Sequence, residues 1–175
     1  MSDEEKPYRV GVVCWGNICR SPMGEFLLRE AFEQAGLGER VVVDSAGTSS
    51  DELGNGMHHR TAAVLRRNGH VDNGWGTHVA RRFDPGWFDE YDLVLPVDHV
   101  HEERLGQVAR TDADRAKLRL FRSFDPDAVA AGNLGMDDPW YGTDPAYDQT
   151  YAEISAAVPG IVEHVRAELE ARDRG

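Results

Sequence analysis

The sequence predicts an α/β fold, a parallel sheet with helices on both faces and ligands received beyond the carboxyl ends of its strands. Two observations carry that prediction. Short β-branched runs alternate along the chain with segments of helical period. The first such run passes through a short loop directly into a helix that a proline can open.

Tyr8 to Val13 (YRVGVV) reads as a buried strand with Cys14 at its end. After the stretch CWGNICRSP, Pro22 suits the first helical position, and Met23, Phe26, Leu27 and Ala31 recur at helical spacing up to Gly36. Val41 to Ala46 is a second strand, Thr61 to Arg67 a helix stopped near Gly69, and Asp92 to Leu95 a third strand. A fourth strand is expected at Lys117 to Leu120. Tyr147, Tyr151, Ile154, Val158, Ile161, Val162, Val165 and Leu169 mark the core face of a long C-terminal helix, broken or kinked near Pro159. Ala128 to Gly135 reads as a flexible connection, and Asp84-Pro85, Asp125-Pro126 and Asp144-Pro145 as turns.

The bulk properties narrow the function. At 175 residues, with 41% hydrophobic and 29% charged residues, the chain is expected to form one domain, with residues 1–6 as a loose acidic tail. No apolar run reaches the roughly 20 residues of a membrane helix, and no secretory pattern follows the N-terminus. The expectation is therefore a cytoplasmic protein without a membrane partner. Nineteen Lys and Arg against 31 Asp and Glu give a net charge of −12, which repels a polyphosphate backbone and argues against nucleic acid. A monomer is expected. The only two cysteines, Cys14 and Cys19, are too few for a disulfide framework and point to thiol chemistry.

That chemistry is read from the loop. A strand-to-helix loop aims successive N–H groups inward and adds the positive end of a helix dipole, which suits a phosphate. Gly16 and Asn17 tolerate the left-handed backbone of such a winding. The Cys-x5-Arg spacing lets Arg20 reach back and hold two phosphate oxygens with its planar fork. The same field favours the Cys14 thiolate, the nucleophilic form, and Ser21 can donate to its sulfur as it leaves. A phosphoester leaving group also needs a proton donor, and Asp138, in DDPWYG, is the candidate, with Trp140 and Tyr141 placed to hold an aromatic substrate. A zinc site from the cysteines and His58-His59 is disfavoured because the histidines are adjacent and lack finger spacing, and His99 and His101 read as surface residues.

Cys14 to Pro22, followed by Asp138-Pro139-Trp140-Tyr141-Gly142, resembles the low-molecular-weight protein tyrosine phosphatases. Asp44 to Thr48, His78 to Arg81, Asp98 and Ser123 to Pro126 extend the resemblance over nearly the whole chain. It implies a three-layer fold with a four-stranded parallel sheet in flavodoxin-like winding, and no metal or organic cofactor. It implies a phosphotyrosine protein as substrate and inorganic phosphate as product. By motif match Cys14 is the nucleophile, Arg20 the clamp, and Asp138 the acid and later the base. The phosphate loop runs over Cys14, Trp15, Gly16, Asn17, Ile18, Cys19, Arg20 and Ser21. Asn17, Ser21, Ser45 and His78 form its supporting network, Asp98 is a buried acceptor, and Cys19 can pair reversibly with Cys14.

The sequence departs from that family at Asp51, where an aromatic residue is usual, and Trp15 is expected to supply the missing aromatic wall. Asp51 also suggests that basic residues beside the phosphotyrosine are favoured. Trp140 replaces the first of two tyrosines, and His70 to Gly76 runs longer than the family norm, which bears on the placement of His78. An arsenate reductase would need further cysteines. A protein-arginine phosphatase carries a small Thr where Ile18 stands, and an apolar Ile18 suits an aromatic ring better than a guanidinium. A thiol redox or phosphate-binding module without turnover is the remaining alternative, although mere binding needs no Asp138.

Overall fold

The computed structural model describes residues 6–175, so the expected loose tail, apart from Lys6, lies outside the described residues. Strand β1 (Tyr8–Cys14) lies between β2 (Val41–Gly47) and β3 (Leu93–Pro96), parallel to both. The register sets Cys14 opposite Gly47 and Val13 opposite Pro96, so the three carboxyl ends come level. Val10, Val12 and Val13 are fully buried. Strands of this kind, apolar on both sides, belong in a sheet covered on both faces.

Successive side chains of β1 serve the two layers in turn. Val12 joins the larger core with residues of α1 (Arg20–Gln34), α2 (His59–Arg67) and the long terminal helix, while Val13 packs with Phe83, Phe88, Val94 and Leu105 on the other side. Leu105 comes from α3 (His99–Val108), which closes that second layer. The chain then forms α4 (Asp112–Ala116), α5 (Pro126–Ala131) and α6 (Asp144–Arg174).

Several sequence expectations need correction. Lys117 to Leu120 is not a fourth strand: Leu118 makes one parallel bridge to Val94, through Val94 N–H to the Lys117 carbonyl (2.9 Å) and Arg119 N–H to the Val94 carbonyl (3.0 Å). Helix α4 ends immediately before this segment and a 3-10 turn at Phe121–Phe124 begins immediately after it, leaving no length for a ladder. The sheet is three-stranded among the described residues. Helix α6 continues unbroken through Pro159, which lies on its exposed side. The expected connection at Ala128 to Gly135 is helical in its first half, ending at Gly132 with φ 66°. The Asp-Pro pairs start helices instead of turns, because Asp84 and Asp125 each accept the N–H two residues on, and Asp144-Pro145 opens α6.

Gly160 is where α6 meets the 3-10 turn at Phe121–Phe124, and a Cβ there would run into the Phe124 carbonyl. Backbone cannot yield as a flexible side-chain tip can. Gly160→Ala should therefore destabilise the protein by about 2 kcal/mol, read as a lower urea midpoint at unchanged slope; an unchanged midpoint would show that the turn is not seated on the helix.

Candidate active site

The level carboxyl ends of the strands bring Cys14, Gly47 and Pro96 together, and the loop from β1 to α1 starts there. Its carbonyls are tied outward one after another. Cys14 O accepts Thr48 N–H (2.9 Å), Trp15 O accepts Ser49 N–H (3.0 Å), and Ile18 O accepts His58 N–H (2.9 Å). Asn17 O accepts from His78 Nε2 at 2.8 Å. In a trans peptide the N–H points opposite to its carbonyl, so the N–H groups of the following residues turn inward and form an anion nest.

Asn17 makes the winding possible. It is the one non-glycine residue with positive φ among the described residues, at 61°, and is fully buried. Its side chain donates to Ser21 Oγ (2.8 Å) and Ser45 Oγ (2.9 Å) and accepts Arg81 N–H (3.1 Å). Ser21 Oγ, having accepted from Asn17, lies 2.9 Å from Cys14 Sγ and 3.3 Å from the Ala46 carbonyl, so its one proton can be given to either. Ser45 in turn donates to Glu25 Oε1 at 2.5 Å. Burial pushes the Glu25 carboxyl up, against the opposing pull of the Ser45 bond and Arg29.

His78 reaches the loop despite the long His70–Gly76 segment. Asp72 folds that segment by accepting Gly74 N–H (2.9 Å) and Gly76 N–H (3.1 Å), and Trp75 is buried in the core. Burial pulls the His78 imidazole down, which keeps it a neutral Nε2–H donor to the loop.

Arg20, the first residue of α1, is 4% exposed. Its Nη1 donates to the Met136 carbonyl (2.7 Å) and lies 3.8 Å from Asp98 Oδ2, while its Nη2 lies 3.5 Å from both Asp138 Oδ2 and His101 Nε2. Asp98 is half-buried, not buried, and caps α3 through His99 N–H at 2.7 Å. Asp138 is exposed and its Oδ1 accepts Trp140 N–H at 3.1 Å.

His101 is not a surface residue. It is fully buried, Nε2 toward Arg20, and its Nδ1 has no partner among the described residues. Burial, helped by Arg20 and Arg104, pulls its pKa down to about 3. A neutral imidazole accepts from the guanidinium without adding charge. The sequence signal was its position three residues after Asp98, on the inward side of the helix that Asp98 caps. Glu25 was missed as well, and its signal was an acid set between Gly24 and Phe26 in an otherwise apolar stretch.

These residues enclose a cavity of about 190 Å³ lined by Cys14, Trp15, Gly16, Ile18, Cys19 and Arg20, with Asp51, Asp138, Trp140 and Tyr141 at its rim. Trp15 Nε1 donates to Asp51 Oδ2 at 3.0 Å. Cys14 and Cys19 are both free and buried. The Cys19 thiol, 3.5 Å from Tyr147 O–H, is pushed up to about 12 by burial. His58 caps α2 through Arg60 N–H and stacks on Tyr147.

His101 has a consequence for acid stability. Above its ordinary value of 6.5 it is neutral in both folded and unfolded chains; from there down to about 3 only the unfolded chain takes the proton, so stability is lost as pH falls through that window. The loss is about 1.4 kcal/mol per pH unit for this group. His101→Asn should therefore lose about 2 kcal/mol less than the parent between pH 6.5 and 5 in urea titrations, and equal losses would mean that the imidazole is not buried neutral.

Residues 9–171 match the family model for low molecular weight phosphotyrosine protein phosphatases. A low molecular weight protein-tyrosine-phosphatase of Streptomyces coelicolor is 45% identical over 166 residues, covering 94% of this chain and 98% of that protein. The low molecular weight protein-tyrosine phosphatase A of Mycobacterium tuberculosis is 34% identical over 169 residues, covering 97% and 96%. Among solved structures, YfkJ from Bacillus subtilis superposes with a TM-score of 0.83 at 25% identity, covering 93% of this chain and 97% of that one.

Proposed function

The chain belongs to the low molecular weight phosphotyrosine protein phosphatases, and on that premise we propose how its residues divide the hydrolysis of phosphotyrosine among them. One observation carries the assignment: Cys14, Arg20 and Asp138 line the same cavity, with Ser21 Oγ 2.9 Å from the sulfur and Asp138 3.5 Å from the guanidinium. The phosphoryl group lies in the nest of inward N–H groups and is clamped by Arg20, whose other contacts fix its plane. Cys14 attacks phosphorus, the S–P bond forms as the P–O bond to the tyrosine breaks, and Asp138 protonates the leaving oxygen. Asp138 then takes a proton from water as that water attacks phosphorus, the S–P bond breaks, and Ser21 donates to the departing sulfur. Inorganic phosphate is released.

Asn17, Ser45 and His78 hold the loop in shape, Asp98 and His101 hold Arg20, and Trp15, Ile18, Trp140 and Tyr141 take the aromatic ring. We take the chain as one phosphatase domain, and its two free thiols suit a reducing, cytoplasmic setting. Cys14→Ser should abolish turnover of phosphotyrosine peptides. Asp138→Asn should lower kcat by about 10²–10⁴ on phenyl phosphate and far less on an activated nitrophenyl phosphate, because only the poor leaving group needs the proton. Equal losses on both esters would remove Asp138 from that role, and faster turnover of phosphoarginine peptides would reassign the substrate.

The same thiols suggest reversible protection. Peroxide oxidises the Cys14 thiolate to a sulfenic acid, and Cys19, the protonated partner in the same cavity, then displaces water to form a disulfide. Mild peroxide treatment should give a Cys14–Cys19 disulfide by mass spectrometry with activity restored by a dithiol. Overoxidised Cys14 beside a free Cys19 would refute it.

A further inference from the structure

A second recess, about 670 Å³, adjoins Trp15 through Arg104, with Thr48, Arg82, Phe83, Arg104, Leu105 and Val108 in its walls. Its two arginines are among five, with Arg66, Arg119 and Arg174, that meet no carboxylate within 4.0 Å among the described residues, and these two line one recess together. Arg29, Arg40, Arg60, Arg67, Arg110 and Arg172 each meet a carboxylate within 3.0 Å. Arg82 and Arg104 meet none within 4.0 Å among the described residues, in a chain with 31 acidic against 19 basic residues. The one acid in the recess, Asp84, uses its Oδ1 to accept Gly86 N–H at 2.8 Å.

Both arginines are tied to the site. Arg104 lies over the Trp15 ring, 4.4 Å from its centroid, and reaches the Thr48 carbonyl at 3.5 Å. Arg82 stands on an extended segment bridged to Gly47, the residue opposite Cys14, through Gly47 N–H to Arg81 O and Phe83 N–H to Gly47 O, each 2.8 Å. The apolar floor of Phe83 and Leu105 excludes water from one side of an incoming group, and the Thr48 hydroxyl is buried without a partner. Arg104 thus links the indole of the phosphoryl site to a recess whose two cations meet no carboxylate among the described residues.

We propose that this recess is a subsite of the phosphatase for an acidic side chain flanking the phosphotyrosine of the substrate protein. It rests on the phosphatase reading and adds the sequence context. An extended peptide advances about 3.3 Å per residue, so a Glu or Asp one to three positions from the phosphotyrosine spans the indole and presents a carboxylate to both guanidinium groups. The partner is a protein segment and not a nucleic acid, because a net charge of −12 repels a polyphosphate backbone far more than it repels a single carboxylate seated between two arginines.

The test compares kcat/KM for phosphotyrosine peptides carrying Glu, Ala or Lys at each position from −3 to +3, with a nitrophenyl phosphate as the small control. The parent enzyme should prefer Glu over Ala about fivefold at one position, mainly in KM. Arg82→Gln should reduce that preference, Arg82→Gln with Arg104→Gln should abolish it, and Arg82→Gln should turn over the small ester at the parental rate. A parent that hydrolyses the ester but treats the three peptides alike overturns the subsite and leaves the phosphatase standing. A Glu preference that survives the double substitution also overturns it. Failure to hydrolyse even the small ester would sink both.

Discussion

The left-handed turn at Asn17 is the constraint on which the rest of the site depends. A non-glycine residue pays of order 1 kcal/mol to sit at φ 61°, and the cost persists only because the surroundings over-determine it. Here the side-chain amide fills three hydrogen bonds at once, to Ser21, Ser45 and the Arg81 N–H. Those bonds reach α1, β2 and the segment after His78, so one residue fixes three pieces of chain around the loop. Reversing its φ would swing the Asn17 carbonyl away from His78 and with it the N–H that must face an anion.

Electrostatics around that loop follow a second rule, that buried charge is paired and spare buried groups are kept neutral. Arg20 is the buried cation, and its pairing is divided among the Met136 carbonyl, Asp98 and Asp138. A second cation in contact with it would undo this, and burial with Arg20 nearby keeps His101 uncharged. Glu25 is the mirror case at the other end of the network. Its carboxyl is disfavoured by burial, but Ser45 and Arg29 both hold it, so the chain of hydrogen bonds from the sulfur ends on a satisfied group.

How much of this the sequence disclosed depended on range. The strand, loop and Pro-containing helix from Tyr8 to Gly36 were legible because periodicity, turn residues and motif all lie within one short stretch. The long C-terminal helix was legible from its stripe, yet its continuity through Pro159 was not, since a proline on the exposed side disturbs no packing. Lys117 to Leu120 alternates like a strand, but its flanking turns leave only one bridge, and such competition for length is invisible to a local pattern. His101 was misread because its one local signal, the position three residues after the helix-capping Asp98, marks a helix face but not what that face meets. It meets Arg20, 81 positions away in the sequence, at 3.5 Å. The Asp-Pro pairs were misread for a related reason: an aspartate that caps an N–H two residues on serves a turn and a helix start equally well.

The rim shows how a substitution at one position is answered elsewhere. Asp51 stands where an aromatic wall was expected, and its carboxylate takes the Trp15 Nε1–H at 3.0 Å. That bond grips the indole by its edge, while Arg104 covers its face at 4.4 Å. An anion in the plane and a cation over the ring are the two arrangements that an indole favours, the first through its N–H dipole and the second through its quadrupole. Held from both directions, the ring loses little further freedom when a phosphotyrosine settles against it, so more of the contact energy remains for binding. On the proposed phosphatase reading, the acid at residue 51 leaves the wall to Trp15 and holds that indole by its edge.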